Sequence, residues 1–347
     1  MNAAQHPSSS PFRTLALAAV TLVVAVLALG GVQGSLAAQP KDYAKVVGPK
    51  ECAECHKVTT KAWQASHHFA TFTDMPRSKE GREIAERMGI KRVKTDSLCV
   101  DCHFTSQEKA GQVDTIAGIS CESCHAPAGD WLKRHSGYSG KKKGQETPQE
   151  IAKRWADAEA GGMIRPHMTY KLAKNCYSCH ITPNEKLVNE GKHSPGSPFE
   201  LVSWSQGEVR HKLWYNDGKA NLEATPERKR MLFVVGAMVE LEESLRAVGQ
   251  ATVKANYAVT MAKRAQIAAK RMAAIAQAVK TPETAAILEV VKGVKLNLNN
   301  GAALTAAADK IGASARKFSD GYDGSTLAAV DGMIPGSDKY KGKVYQP

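Results

Sequence analysis

Apolar residues follow two distinct patterns at the two ends of the 347-residue chain. Residues 15–32 form an almost unbroken apolar run near the N-terminus. From residue 226 onward, apolar and small residues recur at alternating spacings of three and four, which is the pattern of an amphipathic helix. The segment between these regions, 41–218, holds all eight cysteines. The pattern therefore predicts three regions with different roles.

The apolar run at 15–32 has the features of a secretory signal. Arg13 precedes it, and Ser35-Leu36-Ala37 follows it as a small-x-small cleavage pattern. We therefore predict a signal peptide over residues 1–38 and a periplasmic location for the rest of the chain. An uncleaved membrane anchor is the alternative, because a run of 18 residues is near the length of a spanning helix.

The C-terminal region predicts helices that pack together. Thr225-Pro226-Glu227 is a helix start signal, and the spacing that follows it predicts one helix of about 50 residues. Thr281-Pro282-Glu283 predicts a second helix, and a third follows the break at Asn299-Asn300-Gly301. We expect a helical bundle over 226–320 and a surface tail over 321–347. The apolar stripe indicates internal packing, with self-association of the helices as the alternative.

Composition and charge exclude some classes of protein. Hydrophobic residues make up 43% of the chain and charged residues 23%, which excludes general disorder. The 47 basic and 34 acidic side chains give a net charge of +13, which favours partners with acidic docking surfaces. A nucleic-acid partner is not expected, because the chain is predicted to be exported and carries no recognition motif.

The eight cysteines form four Cys-x-x-Cys-His motifs, and none is left over. Two thiols at this spacing reach the two vinyl groups on one edge of a haem, and the following histidine reaches the iron. The spacing therefore predicts four covalently attached haem c groups with the motif histidines as proximal ligands. The motifs are Cys52-Ala53-Glu54-Cys55-His56, Cys99-Val100-Asp101-Cys102-His103, Cys121-Glu122-Ser123-Cys124-His125 and Cys176-Tyr177-Ser178-Cys179-His180.

Other chemistries of cysteine pairs explain the motifs less well. A zinc ribbon needs no histidine after each pair. A redox dithiol normally occurs once, beside a βαβ pattern that this sequence lacks. A disulfide within four residues does little to stabilise a fold. Four haems in 41–218 leave about 45 residues each, too few to wrap every porphyrin separately, so we expect the haems to lie close together.

The opposite side of each iron can bind a second ligand, and six histidines outside the motifs are candidates. His68 lies 12 residues after His56 in a predicted short helix, and His135 lies ten residues after His125. A chain of this length also carries surface histidines, so not every candidate is expected to bind iron. The six are His67, His68, His135, His167, His193 and His211.

The first and third motifs carry a family resemblance. Trp63 follows His56 by seven residues, the third motif stands in Gly118-Ile-Ser-Cys-Glu-Ser-Cys-His-Ala-Pro127, and His135 follows it. Together these features resemble the cytochrome c-554 family, tetrahaem cytochromes related to hydroxylamine oxidoreductase. The resemblance covers roughly residues 45–218. It implies a mostly α fold with little regular sheet, which makes 41–218 a tetrahaem cytochrome c domain.

The resemblance also implies distal ligands. In the family, three haems have two histidine ligands and the haem of the second motif has an open or weakly filled position. Carried over to this chain, His68, His135 and His211 match the three distal histidines. His67 adjoins His68 and is the alternative to it.

The second motif is where the chain departs from the family. His193 and His167 are additional histidines, and either would close the position opposite His103. Whether the His103 haem is five- or six-coordinate is therefore left open by the sequence. Every motif and every candidate ligand precedes Gly218, so we expect a chain that ends there to keep its haems.

Three functions compete. The first is an electron carrier that relays electrons between redox partners, and the second is a reductase of a small nitrogen oxide at a five-coordinate His103 haem. The third is an interaction role for the bundle, with the haem domain as a relay in a complex. The sequence favours electron transfer over catalysis, because it shows no acid–base constellation beside an open haem.

Overall fold

The computed structural model describes Met1 and residues 42–347. The apolar run at 15–32 and the predicted cleavage site lie outside the described residues. Over 42–347, no helix is both long enough and apolar enough to cross a membrane. These residues belong to one compact unit.

The region before residue 226 is built from short helices and one β-hairpin. The antiparallel strands β1 (Thr105–Lys109) and β2 (Gln112–Ala117) are joined at Ala110 and Gly111, whose positive φ angles of 50° and 75° suit a tight hairpin turn. The helices are α1 (Pro49–Ala53), α2 (Lys57–Gln64), α3 (His67–Asp74), α4 (Lys79–Arg87), α5 (Ser97–His103), α6 (Cys121–His125), α7 (Leu132–Ser136), α8 (Pro148–Ala160), α9 (Thr169–His180), α10 (Glu185–Asn189) and α11 (Leu201–Ser205).

Longer helices make up the C-terminal region. They are α12 (Pro226–Gly249), α13 (Asn256–Ala278), α14 (Pro282–Lys292) and α15 (Gly301–Gly321). Short 3-10 helices occur at Tyr43–Lys45, Met75–Arg77, Tyr138–Gly140, Trp214–Asn216, Ala328–Met333 and Ser337–Lys339. The fold is mostly helical, as predicted, and the hairpin is the only sheet in the described part of the chain.

Local sequence explains where several of these helices begin. The Ser66 and Ser78 hydroxyls accept backbone N–H groups at the starts of α3 and α4, and Thr147 forms a capping box with Glu150 at the start of α8. The Thr225 hydroxyl accepts the Arg228 N–H at the start of α12, and the Thr281 hydroxyl accepts the Thr284 N–H at the start of α14; each threonine is followed by a proline in the first turn. The predicted starts of these two helices are correct.

The prediction of one helix of about 50 residues from Pro226 is wrong. The chain leaves the helix after Gly249 and starts α13 at Asn256, antiparallel to α12. The Tyr257 hydroxyl donates to the Ala247 carbonyl at 2.8 Å, and Arg271 reaches back to Glu240 at 2.6 Å. Apolar residues keep the alternating spacing of three and four on both sides of this break, because α12 and α13 each have an apolar stripe that faces the other helix.

One hydrophobic core joins the predicted cytochrome region to the helical bundle. Tyr177 and Ile181, at the end of α9, are buried together with Leu241 and Leu245 of α12. The predicted surface tail is mostly exposed, but Val330 is fully buried in the same core. The two regions therefore stabilise each other, although the sequence places all the haem chemistry in the first.

The shared core changes the expectation for a chain that ends at Gly218. Without α12 to α15, the side chains of Tyr177, Ile181 and Val202 would be exposed to water, and each buried apolar side chain contributes about 1.5–3 kcal/mol. We expect the truncated protein to take up less haem than the full chain and to aggregate. Haem content per polypeptide and gel filtration measure this, and a soluble, monomeric truncation with full haem content would contradict it.

Candidate haem-binding site

Each Cys-x-x-Cys-His motif lies on a helical turn. The helices α5, α6 and α9 end at His103, His125 and His180, the histidines of the last three motifs. In the first motif the His56 amide donates to the Cys52 carbonyl at 2.9 Å, which continues the turn of α1. Because residues three apart lie on one face of a helix, both thiols of a motif are on the same side, as attachment to one haem edge requires.

Each motif histidine faces one histidine from outside the motifs. The centroids of the two rings are 6.2 or 6.3 Å apart in all four pairs. The pairs are His56 with His135 (6.3 Å), His180 with His68 (6.3 Å), His103 with His193 (6.2 Å) and His125 with His211 (6.2 Å).

This separation is the one that two imidazoles have when they bind the same metal ion from opposite sides. An imidazole nitrogen binds a first-row metal at about 2.0–2.1 Å, and the ring centroid lies about 1.1 Å behind that nitrogen, which gives a centroid separation of about 6.3 Å. The four pairs therefore fit an iron between their rings. No pair is local in sequence, since the partner of His56 is His135 and the partner of His180 is His68.

Hydrogen bonds orient several of these rings. The Nδ1 atoms of His125, His135 and His193 lie 2.7–2.8 Å from the backbone carbonyls of Ile164, Leu132 and Ser194. A carbonyl oxygen only accepts, so Nδ1 carries the proton and the Nε2 lone pair is left for a metal. His211 makes the same bond to the Val209 carbonyl at 2.7 Å, whereas the His180 Nδ1 lies 2.9 Å from the Ser197 hydroxyl.

Burial favours the neutral form of the motif imidazoles. It lowers the pKa of His103 to about 4, with a further contribution from His193. Burial also lowers the pKa of His180 to about 4, and His68 and Arg264 lower it further. A neutral imidazole is the form that binds a metal, so the site is set for coordination at neutral pH.

The space between the helices is large enough for several cofactors. All four motifs and their histidine partners line one continuous cavity of about 3010 Å³. Pockets for single drug-sized ligands have volumes of about 300–1,000 Å³. Within residues 42–347, no group of three or more His, Cys, Asp or Glu side chains is arranged to hold a bare metal ion.

Two of the candidate histidines have other surroundings. The His67 side chain is 86% exposed, and its Nδ1 lies 2.6 Å from the Glu208 carboxylate, so His68 and not His67 faces His180. The His167 side chain is 61% exposed and lies 3.8 Å from Glu159. Of the two histidines considered for the position opposite His103, the structure places His193 there.

Two charged residues near the motifs are not predicted from the sequence. Glu122, inside the third motif, is buried and accepts hydrogen bonds from the backbone N–H groups of Val47, Gly48 and Ala128. Arg264, in α13, donates to the carbonyl of His180 in the fourth motif and to the carbonyl of Ser197 in the segment that follows it. The sequence does not indicate these roles, because Glu122 is one acid in a Cys-x-x-Cys spacer and Arg264 is one basic residue in an alanine-rich helix.

A helical chain in which the histidine of each Cys-x-x-Cys-His motif faces a second histidine is a c-type cytochrome. Such a protein carries covalently attached haem c and acts in electron transfer. Residues 51–126 match the family model of cytochrome c554 and c-prime. The match confirms the resemblance over the first three motifs, while the fourth motif lies beyond it. Comparison with curated proteins and with solved structures gave no match.

Proposed function

We propose that this protein is an exported tetrahaem cytochrome that relays electrons between redox partners. The observation that carries the proposal is the set of four histidine pairs, each combining one motif histidine with one from elsewhere at the spacing of a shared iron. When bound, haem c supplies one-electron exchange at iron, with a potential set by its ligands and surroundings. The residues of this chain hold and orient the ligands.

Contacts between the motifs support a relay. The Cys52 and Cys121 thiols are close enough that their interaction raises the pKa of Cys52, so the first and third motifs adjoin. The third and fourth motifs are joined by Asn175, whose side-chain amide donates to the Cys124 carbonyl at 2.9 Å. These contacts favour electron movement between neighbouring attachment sites rather than four isolated centres.

The second and fourth sites also adjoin. The Thr71 hydroxyl lies 2.8 Å from the carbonyls of both His68 and His103. His68 faces His180, the histidine of the fourth motif. The chain of contacts therefore supports the order first, third, fourth and second site along the relay.

The alternative function is reduction of a nitrogen oxide at a five-coordinate haem on the second motif. That chemistry needs an open position opposite His103. The ring of His193 lies opposite, 6.2 Å away between centroids, with the same spacing as the other three pairs. This observation favours electron transfer.

Charge and the N-terminal sequence support the proposed partners and location. The net charge of +13 favours partners with acidic surfaces. The apolar run with its cleavage pattern supports a periplasmic location. Self-association through the C-terminal helices and the relationship to hydroxylamine oxidoreductase stay predictions.

The test of this proposal is haem stoichiometry. We expect the purified protein to carry four haems, to contain no free thiol and to show only low-spin ferric haem, because all eight cysteines and all four pairs are then in use. Intact mass, a haem assay in alkaline pyridine and thiol titration measure this.

The double variant C176A/C179A is the control for that test, and it should lose one haem of the four. Recovery of free thiols or bound zinc in the wild-type protein would overturn the proposal.

A further inference from the structure

Arg264 extends from the helical bundle to the backbone of the fourth motif. It lies in α13, and its side chain is only 13% exposed. One of its terminal nitrogens, Nη1, donates to the Ser197 carbonyl at 2.9 Å and to the His180 carbonyl at 3.3 Å. The guanidinium therefore ties the motif histidine to the loop that follows it.

That loop orients the His180 ring. The Ser197 hydroxyl lies 2.9 Å from His180 Nδ1, and the Ser197 amide donates to the His180 carbonyl at 3.2 Å. Gly196 has a φ of +112°, and a Cβ there would lie 2.6 Å from the His180 carbonyl and 3.1 Å from Arg264 Nη1. The close approach of loop, motif and guanidinium thus requires a glycine at this position.

Arg264 shares its ion-pair partner with a second guanidinium group. Its Nε lies 3.4 Å from Glu240, a buried carboxylate that also binds Arg271 at 2.6 Å. Two guanidinium groups thus share one carboxylate, and Arg264 is the one that contacts the His180 backbone. A fixed positive charge in a region of low dielectric favours the state of a nearby redox centre that carries one more electron.

We propose that Arg264 is a positioning residue through which the helical bundle raises the reduction potential of the fourth-motif site. The proposal rests on the proposed function, since it requires a haem on Cys176 and Cys179 with His180 and His68 as ligands. It goes beyond that function because it assigns a redox role to the C-terminal bundle, which contains no cysteine or histidine. The bundle then raises the driving force for electron transfer to the fourth-motif site from its neighbours in the relay.

Spectroelectrochemical titration of the full-length holoprotein at about pH 8, above the usual range of carboxyl pKa values, tests the proposal. We expect Arg264→Gln to lower one of the four potentials, changing its reduced-to-oxidised ratio about tenfold at a fixed electrode potential, or about 59 mV for one electron. Glu240→Gln should shift the same potential in the opposite direction, because it leaves the two guanidinium groups without their shared anion. Lys263→Gln, an exposed charge removal on the same helix, should leave all four potentials unchanged.

The outcomes separate this inference from the proposed function. Fewer than four haems in the wild-type protein would overturn the proposed function, whereas the inference is judged on variants with four low-spin haems. Unchanged potentials in Arg264→Gln, an equal shift of all four, or the same shift in Lys263→Gln would overturn the role of Arg264. If Arg264→Gln fails to take up four haems, Glu240→Gln decides, and anything but a raised potential at one haem counts against the proposal.

Discussion

Replacing His193 by Ala should convert about one quarter of the ferric haem from low-spin to high-spin and allow it to bind cyanide and nitric oxide. His193 is the ring opposite His103, and removal of an imidazole leaves a sixth position open to water or a small ligand. In the wild-type protein we expect no high-spin component and no binding of either ligand. Electron paramagnetic resonance and visible spectra with and without cyanide measure this.

The control for that variant is His167→Ala. His167 is the other histidine that the sequence offers for the second motif, but it is largely exposed beside Glu159. The His167→Ala variant should therefore leave the spectra unchanged. A His193→Ala protein that stays fully low-spin and does not bind cyanide would contradict the pairing, and a high-spin quarter in the wild-type protein would return the reductase function to consideration.

The segment that carries His193 is held by backbone contacts, which explains how a loop residue can be a fixed ligand. The His193 amide donates to the Leu187 carbonyl at 3.2 Å, and Arg87 Nε donates to the Gly191 carbonyl at 2.9 Å. Lys192, between them, has a positive φ of 61°, a conformation that non-glycine residues adopt only when neighbouring contacts hold it. The ring is therefore presented from a constrained loop.

What the sequence predicts and what it misses follow from the range of the interactions. The Cys-x-x-Cys-His motifs and the capped starts at Pro226 and Pro282 depend on residues within one helical turn, so they can be identified from sequence. The pairing of His56 with His135 depends on how distant segments pack, and spacing along the chain does not contain it. The end of α12 at Gly249 is missed because the apolar spacing continues across the break.

The boundary between the cytochrome region and the helical bundle is also predicted only in part by the sequence. The division at residues 218–226 follows a change in composition, but the fold joins the two sides through Tyr177 of α9 and Leu241 of α12. Composition reports where the haem chemistry lies and does not report which surfaces are buried against each other. Arg264 shows the consequence, because a helix without any haem ligand contacts the backbone of His180.

Replacing Glu122 by Ala should lower the free energy of unfolding by about 3 kcal/mol, because it leaves two buried N–H groups and one part-buried N–H group without an acceptor, at about 1–3 kcal/mol for each buried group. The Glu122 carboxylate accepts from Val47 at 3.0 Å, from Gly48 at 2.8 Å and from Ala128 at 2.8 Å. Those bonds tie the segment that leads into the first motif to the third motif. Guanidinium unfolding of the holoprotein, followed by haem absorbance and circular dichroism, measures the loss.

Two further variants separate the role of the carboxylate from that of the motif spacer. Glu122→Gln keeps one acceptor oxygen, so it should lose less stability than Glu122→Ala, although its NH2 group then faces a backbone N–H. Glu54→Ala removes the exposed glutamate from the spacer of the first motif, and a surface change of this kind should stay within about 0.5 kcal/mol of the wild type. A Glu122→Ala protein as stable as Glu54→Ala would mean that the three bonds of the Glu122 carboxylate do not hold the first and third motifs together.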